Sequence, residues 1–125
     1  GLAYYENNQE RLKLVPVDDK NPATGKGPVG ASYDNVLNGT YQPLSRPLFI
    51  YVSVQSAAKD EVKEFIKYYI ENSELLAKEV GYVALPTKAY ELVLKRFDDR
   101  TTGSLFGGKG SQVGVKIEEL LKSSE

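Results

Sequence analysis

The chain carries no histidine and no cysteine, so the common general base, the thiol nucleophile and the usual transition-metal ligands are all missing. Carboxylates remain. Asp18-Asp19, Asp98-Asp99 and Glu118-Glu119 are adjacent pairs, and neighbours on a helix or strand point in different directions rather than sharing a site. They read as solvated pairs, and no catalytic residue, metal site or cofactor is expected. The sharpest motif is Gly103-Ser104-Leu105-Phe106-Gly107-Gly108-Lys109-Gly110, which follows the G-x-x-x-x-G-K of a phosphate-cradling P-loop up to its final position. Gly110 stands where Ser or Thr would ligate magnesium. Residues 98–102 are polar where a buried strand is required, and the next helix starts too late to lend its N-terminal amides. The plainer reading is a tail segment that Leu105 and Phe106 pin to the body.

Ser45-Arg46 is the other place where an anion could be met, since arginine grips phosphate through a bidentate fork. The competing reading is a salt bridge that fixes the local crossing, and Ser45 and Arg46 are carried forward as candidate phosphate contacts only. Gly25-Lys26-Gly27 offers amides and an ammonium, but no helix follows to aim them, so a solvated loop is expected. Asn38-Gly39-Thr40 matches the N-glycosylation pattern and is read as a turn. The nine tyrosines fall mostly on apolar stripes or strands, as partly buried residues with the hydroxyl at the surface.

Composition bounds what these residues can serve. With 125 residues, 41% hydrophobic and 26% charged, one globular domain is affordable. Sixteen basic against seventeen acidic residues leave a formal charge of -1, so nothing attracts nucleic acid or an anionic membrane. The lack of cysteine excludes disulfides and says nothing firm about compartment. Methionine is absent and Gly1 opens the sequence, which predicts a chain that was cut, processed or trimmed. No apolar run reaches the roughly 20 residues of a membrane span, and no signal-peptide pattern is present.

The positioning elements divide around residues 38–54. Asn38-Gly39 is a turn signal, and Pro43 and Pro47 hold the following residues extended. Leu48, Phe49, Ile50, Tyr51 and Val52 then form a nearly unbroken apolar run that suits a strand buried on both faces of a parallel sheet. Before this stretch, residues 1–10 read as the end of a strand (weakly, 2–5) entering a short helix, and residues 12–17 as an edge strand. A surface loop follows over 18–30, then a short helix within 31–39, capped by Ser32 and closed by Gly39.

After it, Val62, Phe65, Ile66, Tyr69 and Ile70 space an apolar stripe along a helix over 58–72. Asn72 or Ser73 caps a second helix to Val80, with Leu75 and Leu76, and Gly81 ends it. Residues 82–85 are extended, Pro86 stops them, and Thr87 caps a helix with Tyr90, Val93, Leu94 and Phe97 on one face. A glycine-rich linker over 100–114 leads to a last helix over 115–122.

Asn38-Gly39-Thr40-Tyr41 followed by Pro43-Leu44-Ser45-Arg46-Pro47-Leu48-Phe49-Ile50-Tyr51-Val52 resembles the late segment of the phosphate-binding proteins of bacterial ABC transporters. The opening Gly1-Leu2-Ala3-Tyr4-Tyr5-Glu6-Asn7-Asn8, the segment Glu79-Val80-Gly81-Tyr82-Val83-Ala84-Leu85-Pro86 and the glycine-rich tail from Thr102 to Gly110 are similar to the same family, the tail especially to its cyanobacterial members. The resemblance spans nearly the whole chain in order and implies an α/β chain forming part of a two-lobed periplasmic-binding-protein (type II) fold.

It further implies that residues 1–37 end the second lobe, 38–47 make the return crossing or hinge, and 48–125 contribute the C-terminal part of the first lobe. The implied partners are inorganic phosphate, a membrane permease and the missing N-terminal part of the same protein, with a periplasmic or exported location and a membrane anchor in that missing part. In the family the phosphate ligands come from upstream segments, so no site residue is expected in this chain beyond the candidates Ser45 and Arg46. Read from its residues alone, the chain also fits an autonomous small α/β protein-interaction module without a small-molecule ligand.

Overall fold

The computed structural model describes residues 1–22, 24, 27–106 and 117–122. The chain begins directly in a helix, α1 (Leu2–Glu6), where a strand end was expected. Local donors explain the difference. The Gly1 carbonyl accepts from the amides of Tyr4 and Tyr5, and the Asn7 and Asn8 side chains donate to the Ala3 and Tyr4 carbonyls at 2.9 and 2.8 Å. These bonds satisfy backbone groups that a helix end otherwise leaves to water.

Residues 12–17 are extended but form no ladder. A single antiparallel bridge joins Val17 to Val29, with N–H to O distances of 2.9 and 2.8 Å. The loop between them is closed by its own carboxylates. Asp18 accepts from the Lys20 amide and ammonium, both at 2.9 Å, and Asp19 accepts from the Asn21 amide at 3.0 Å and the Thr24 hydroxyl at 2.6 Å.

The next helix, α2 (Tyr33–Leu37), forms as the sequence predicts. Ser32 is extended and its side chain accepts from the Asn35 amide, which satisfies one orphan donor of the first turn. Gly39 leaves the helix at φ +74°, a conformation that costs glycine little. Of residues 48–54, predicted as a doubly buried strand, 48–53 form no regular element and mostly face solvent, and Val54 begins a turn. Leu48 is 73% exposed and Tyr51 94%, and 47–52 make no backbone–backbone hydrogen bond among the described residues. An extended segment becomes a strand only through a neighbour's ladder, and no described residue supplies one.

A 3-10 turn at Ser56–Ala58 leads into α3 (Asp60–Glu71), whose first turn carries Asp60 and Glu61 where the helix dipole favours negative charge. Ile66 and Ile70 are buried, whereas Phe65 and Tyr69 of the same stripe remain 61% and 39% exposed. Asn72 or Ser73 was expected to cap the next helix, α4 (Ser73–Glu79); Asn72 holds the N-cap position, but no side chain bonds the first-turn amides. Both side chains turn backwards instead and donate to the Tyr68 and Tyr69 carbonyls at 2.8 and 2.5 Å, closing the end of α3. Gly81 then leaves α4 at φ +73°.

Residues 82–85 are extended, as predicted, and lead to α5 (Thr87–Asp98). Thr87 is the first helical residue and not the cap, a position held by Pro86. A short α6 (Ile117–Lys122) follows; positions 115 and 116 of the predicted helix lie outside the described residues, as do Gly25, Lys26 and residues 107–114. Helix α5 packs against α3 and α6. The buried apolar residues are Ala57, Ile66, Ile70, Ala84, Ala89, Leu120 and Leu121. This is a thin, one-sided core, and among the described residues no strand is present to make an α/β layer.

Candidate functional site

The carboxylates of the Asp18-Asp19 pair separate as residue geometry predicts, while the Glu118 side chain lies outside the described residues. Asp18 serves Lys20 while Asp19 serves Asn21 and Thr24, so the two hold opposite parts of one loop. The hydrogen bond from the Lys20 ammonium, helped by the Lys20 amide, holds the Asp18 carboxyl below the usual carboxylate range, and the same bond raises Lys20. Asp99 pairs with Lys95 at 3.1 Å along α5. Among the described residues no group of carboxylates could hold a metal ion.

Ser45 is half-buried and Arg46 is exposed. Neither makes a hydrogen bond or an ion pair with a described residue, so the salt bridge weighed from sequence does not form among them. The guanidinium is thus not aimed by any described neighbour, and nothing described converges on it. The N-terminus of α3 is occupied by its own acidic residues, which disfavour an incoming anion. At α5, the approach is used internally, since the Leu85 amide donates to the Tyr90 hydroxyl at 3.0 Å. A shallow cleft of about 90 Å³ lined by Tyr4, Asn8, Arg11 and Leu12 lies on a separate part of the chain. Half of the P-loop-like motif, from Gly107 onward, lies outside the described residues.

The residues that tie the chain together were not singled out by sequence. Arg100 sits at φ +55°, with its guanidinium 4.7 Å from the Phe97 ring centroid. It donates at 2.7 Å to the carbonyls of Phe97 and Ala57. It therefore latches the end of α5 onto the 3-10 turn that follows residues 48–53. Arg96 donates to the Thr102 and Gly103 carbonyls at 3.3 and 3.0 Å and sets the exit from α5. Phe106 meets Phe49 edge-on, with ring centroids 5.8 Å apart, so one of the two apolar residues expected to pin the tail does so against residues 48–54. The available signal was positional: Arg96 in the last turn of an amphipathic helix and Arg100 just past its end, where unpaired carbonyls need donors.

Comparison with known proteins places the chain beside longer ones. It is 50% identical to protein SphX of Synechococcus elongatus over 123 residues, covering 98% of this chain and 35% of that protein. It is 42% identical to protein SphX of a Synechocystis species with the same coverage. A phosphate-binding protein PstS of Staphylococcus aureus is 37% identical over 109 residues, covering 83% of this chain and 32% of that protein. The chain thus spans about a third of the length of the curated relatives it matches. No protein-family model matches it, and no solved structure does. No helix among the described residues is long and apolar enough to cross a membrane.

Proposed function

We propose that this chain, homologous to part of SphX and of the PstS phosphate-binding proteins, works as one segment of a protein that captures inorganic phosphate for uptake by an ABC transporter. It has no enzymatic role in this reading. The observation that carries it is the ordered likeness along 98% of the chain to only 35% of SphX, together with the phosphate-binding name of the PstS relatives. An autonomous interaction module is disfavoured by the same coverage, because a self-contained unit would not need to match a third of a longer chain end to end.

In this reading the chain is the C-terminal part of a two-lobed α/β protein that is exported or periplasmic and docks with a membrane permease. Residues 1–37 close the second lobe, 38–47 cross back, and 48–125 complete the first lobe. The phosphate ligands lie outside this chain. That placement is supported by the absence, among the described residues, of any convergent set of donors around Ser45 and Arg46, since a desolvated phosphate is held by several fixed amides and hydroxyls rather than by one cation.

The test is calorimetric. Phosphate, with sulfate as the control anion, is titrated into the purified chain and into a chimera in which this chain replaces its matching segment of the Staphylococcus aureus PstS. The expected result is no heat with the isolated chain and phosphate-selective binding by the chimera. A folded chimera that ignores phosphate while its PstS parent binds it would overturn the functional reading. Selective binding by the isolated chain would overturn the placement of the ligands.

A further inference from the structure

We propose that Asn38 is a modification site. Its carboxamide closes onto the Gly39 nitrogen to form a cyclic imide, which water opens to aspartate or isoaspartate, and the rate is gated by opening of the last turn of α2.

Sequence and surroundings single out this residue. Of the chain's asparagines only Asn38 precedes a glycine; the others are followed by Asn8, Gln9, Pro22, Val36 and Ser73. A side chain on the following residue crowds the attacking nitrogen, and proline has no N–H to lose. The space a Gly39 side chain would take is open. The carboxamides of Asn7, Asn8, Asn35 and Asn72 each donate to a carbonyl at 2.8 or 2.9 Å. Asn38 is exposed, and its carboxamide bonds to no described residue.

The reaction needs no partner but water. The Gly39 nitrogen gives its proton to hydroxide and attacks the Asn38 Cγ. The new C–N bond replaces the bond to the side-chain nitrogen, which leaves as ammonia with a proton from water. Hydrolysis at either ring carbonyl then gives the α-linked or β-linked acid, with no change of oxidation state.

The folded geometry withholds this step. Ring closure requires the Asn38 Cβ to eclipse the Gly39 nitrogen across the Cα–C bond. At ψ −6° the Asn38 nitrogen holds that position, so Cβ is turned away. Rotating ψ breaks the bond from the Gly39 amide to the Val36 carbonyl at 3.1 Å. It also pulls apart the bonds from the Thr40 and Tyr41 amides to the Asn35 carbonyl at 2.9 and 3.0 Å. Helix α2 has five residues and none is buried, so such opening is cheap. The product then loosens the turn further. A carboxylate at position 38 sits at the negative end of the helix dipole and four residues from Asp34, and isoaspartate lengthens the main chain inside the same bonds.

Peptide mapping by mass spectrometry measures both acids at position 38 while the purified chain is held in mildly alkaline buffer, folded and in urea. Conversion should concentrate at Asn38 and run faster in urea. In the folded chain Ser32→Ala, which removes the cap of α2, should raise the rate about fivefold. Asn38→Asp should speed exchange of the Gly39 and Thr40 amides about two- to fivefold. Equal rates folded and in urea would overturn the gating, whatever any variant does, and an unchanged rate in Ser32→Ala would remove α2 from it. Faster conversion at another asparagine, or none at Asn38 in urea, would overturn the site. Unaltered exchange in Asn38→Asp would overturn the loosening. No readout involves phosphate, so the outcome is separable from that of the functional reading.

Discussion

Gly81→Ala tests the least obvious contact in the molecule, the seating of α1 on the end of α4. Gly81 holds φ +73°, and a Cβ built there would lie 2.5 Å from the Ala3 Cβ and 3.4 Å from its Cα. Two costs follow. The left-handed backbone costs an alanine about 1 to 2 kcal/mol, and forcing a methyl into an occupied contact costs about 1 to 3 kcal/mol. The clash meets a Cβ and not a flexible side-chain end, so relief requires α1 to shift as a unit. Against these, replacing glycine restrains the unfolded chain, which returns about 0.4 to 1 kcal/mol. The net expectation is a loss of about 2 to 3 kcal/mol. Urea unfolding of the purified chain, followed by far-ultraviolet circular dichroism, gives the number, and a double-mutant cycle with Ala3→Gly gives its origin. Ala3→Gly removes the methyl that collides but leaves the strained φ, so the cost of Gly81→Ala should fall to about 1 to 2 kcal/mol in that background. An equal cost in both backgrounds would show that α1 does not rest on Gly81 and would refute the packing argument.

Arg100→Ala should destabilise by about 2 kcal/mol in the same assay, because it removes charge-assisted bonds to two carbonyls and a cation–π contact while keeping the positive φ. Arg100→Gly should be milder by about 1 kcal/mol, since glycine is at ease there, and an equal or greater loss would argue against φ strain at this position. Ser32→Ala should cost about 1 kcal/mol, as the loss of an N-cap does, and should leave α2 frayed by amide exchange; no change would mean that the bonds from Asn35 and Thr40 hold that turn alone. The Asp18 carboxyl should titrate below its ordinary range by NMR and return towards it in Lys20→Ala, because the Lys20 ammonium is the largest cause of the shift. As its folded-state pKa is depressed, the pair's contribution is present above the unfolded pKa and fades as pH falls through the folded one. An unchanged Asp18 titration in Lys20→Ala would remove the ion pair from that account.

What was legible in the sequence was what local physics decides. Ser32 and Gly39 frame α2 because capping and positive φ are settled within a few residues, and the spacing of Ile66 and Ile70 is enough to bury one face of α3. The misplaced caps are local too, but ambiguous. Asn72 and Ser73 stand between two helices and serve the carbonyls behind them rather than the amides ahead, a choice that residue type alone does not make. The strand at 48–54 differs in kind. Its apolar, uncharged run describes a buried environment, yet in the structure it is irregular and mostly wet, because a ladder needs donors and acceptors that no described residue brings. Phe65 and Tyr69 repeat the pattern on α3, as half of a stripe designed for burial remains uncovered. Burial is written into a sequence position by position, but the surface that covers it belongs to another segment. For a chain that matches only about a third of its relatives' length, agreement should therefore be best where capping rules apply and poorest where strands do, and the helices that pack only among themselves should be read most accurately.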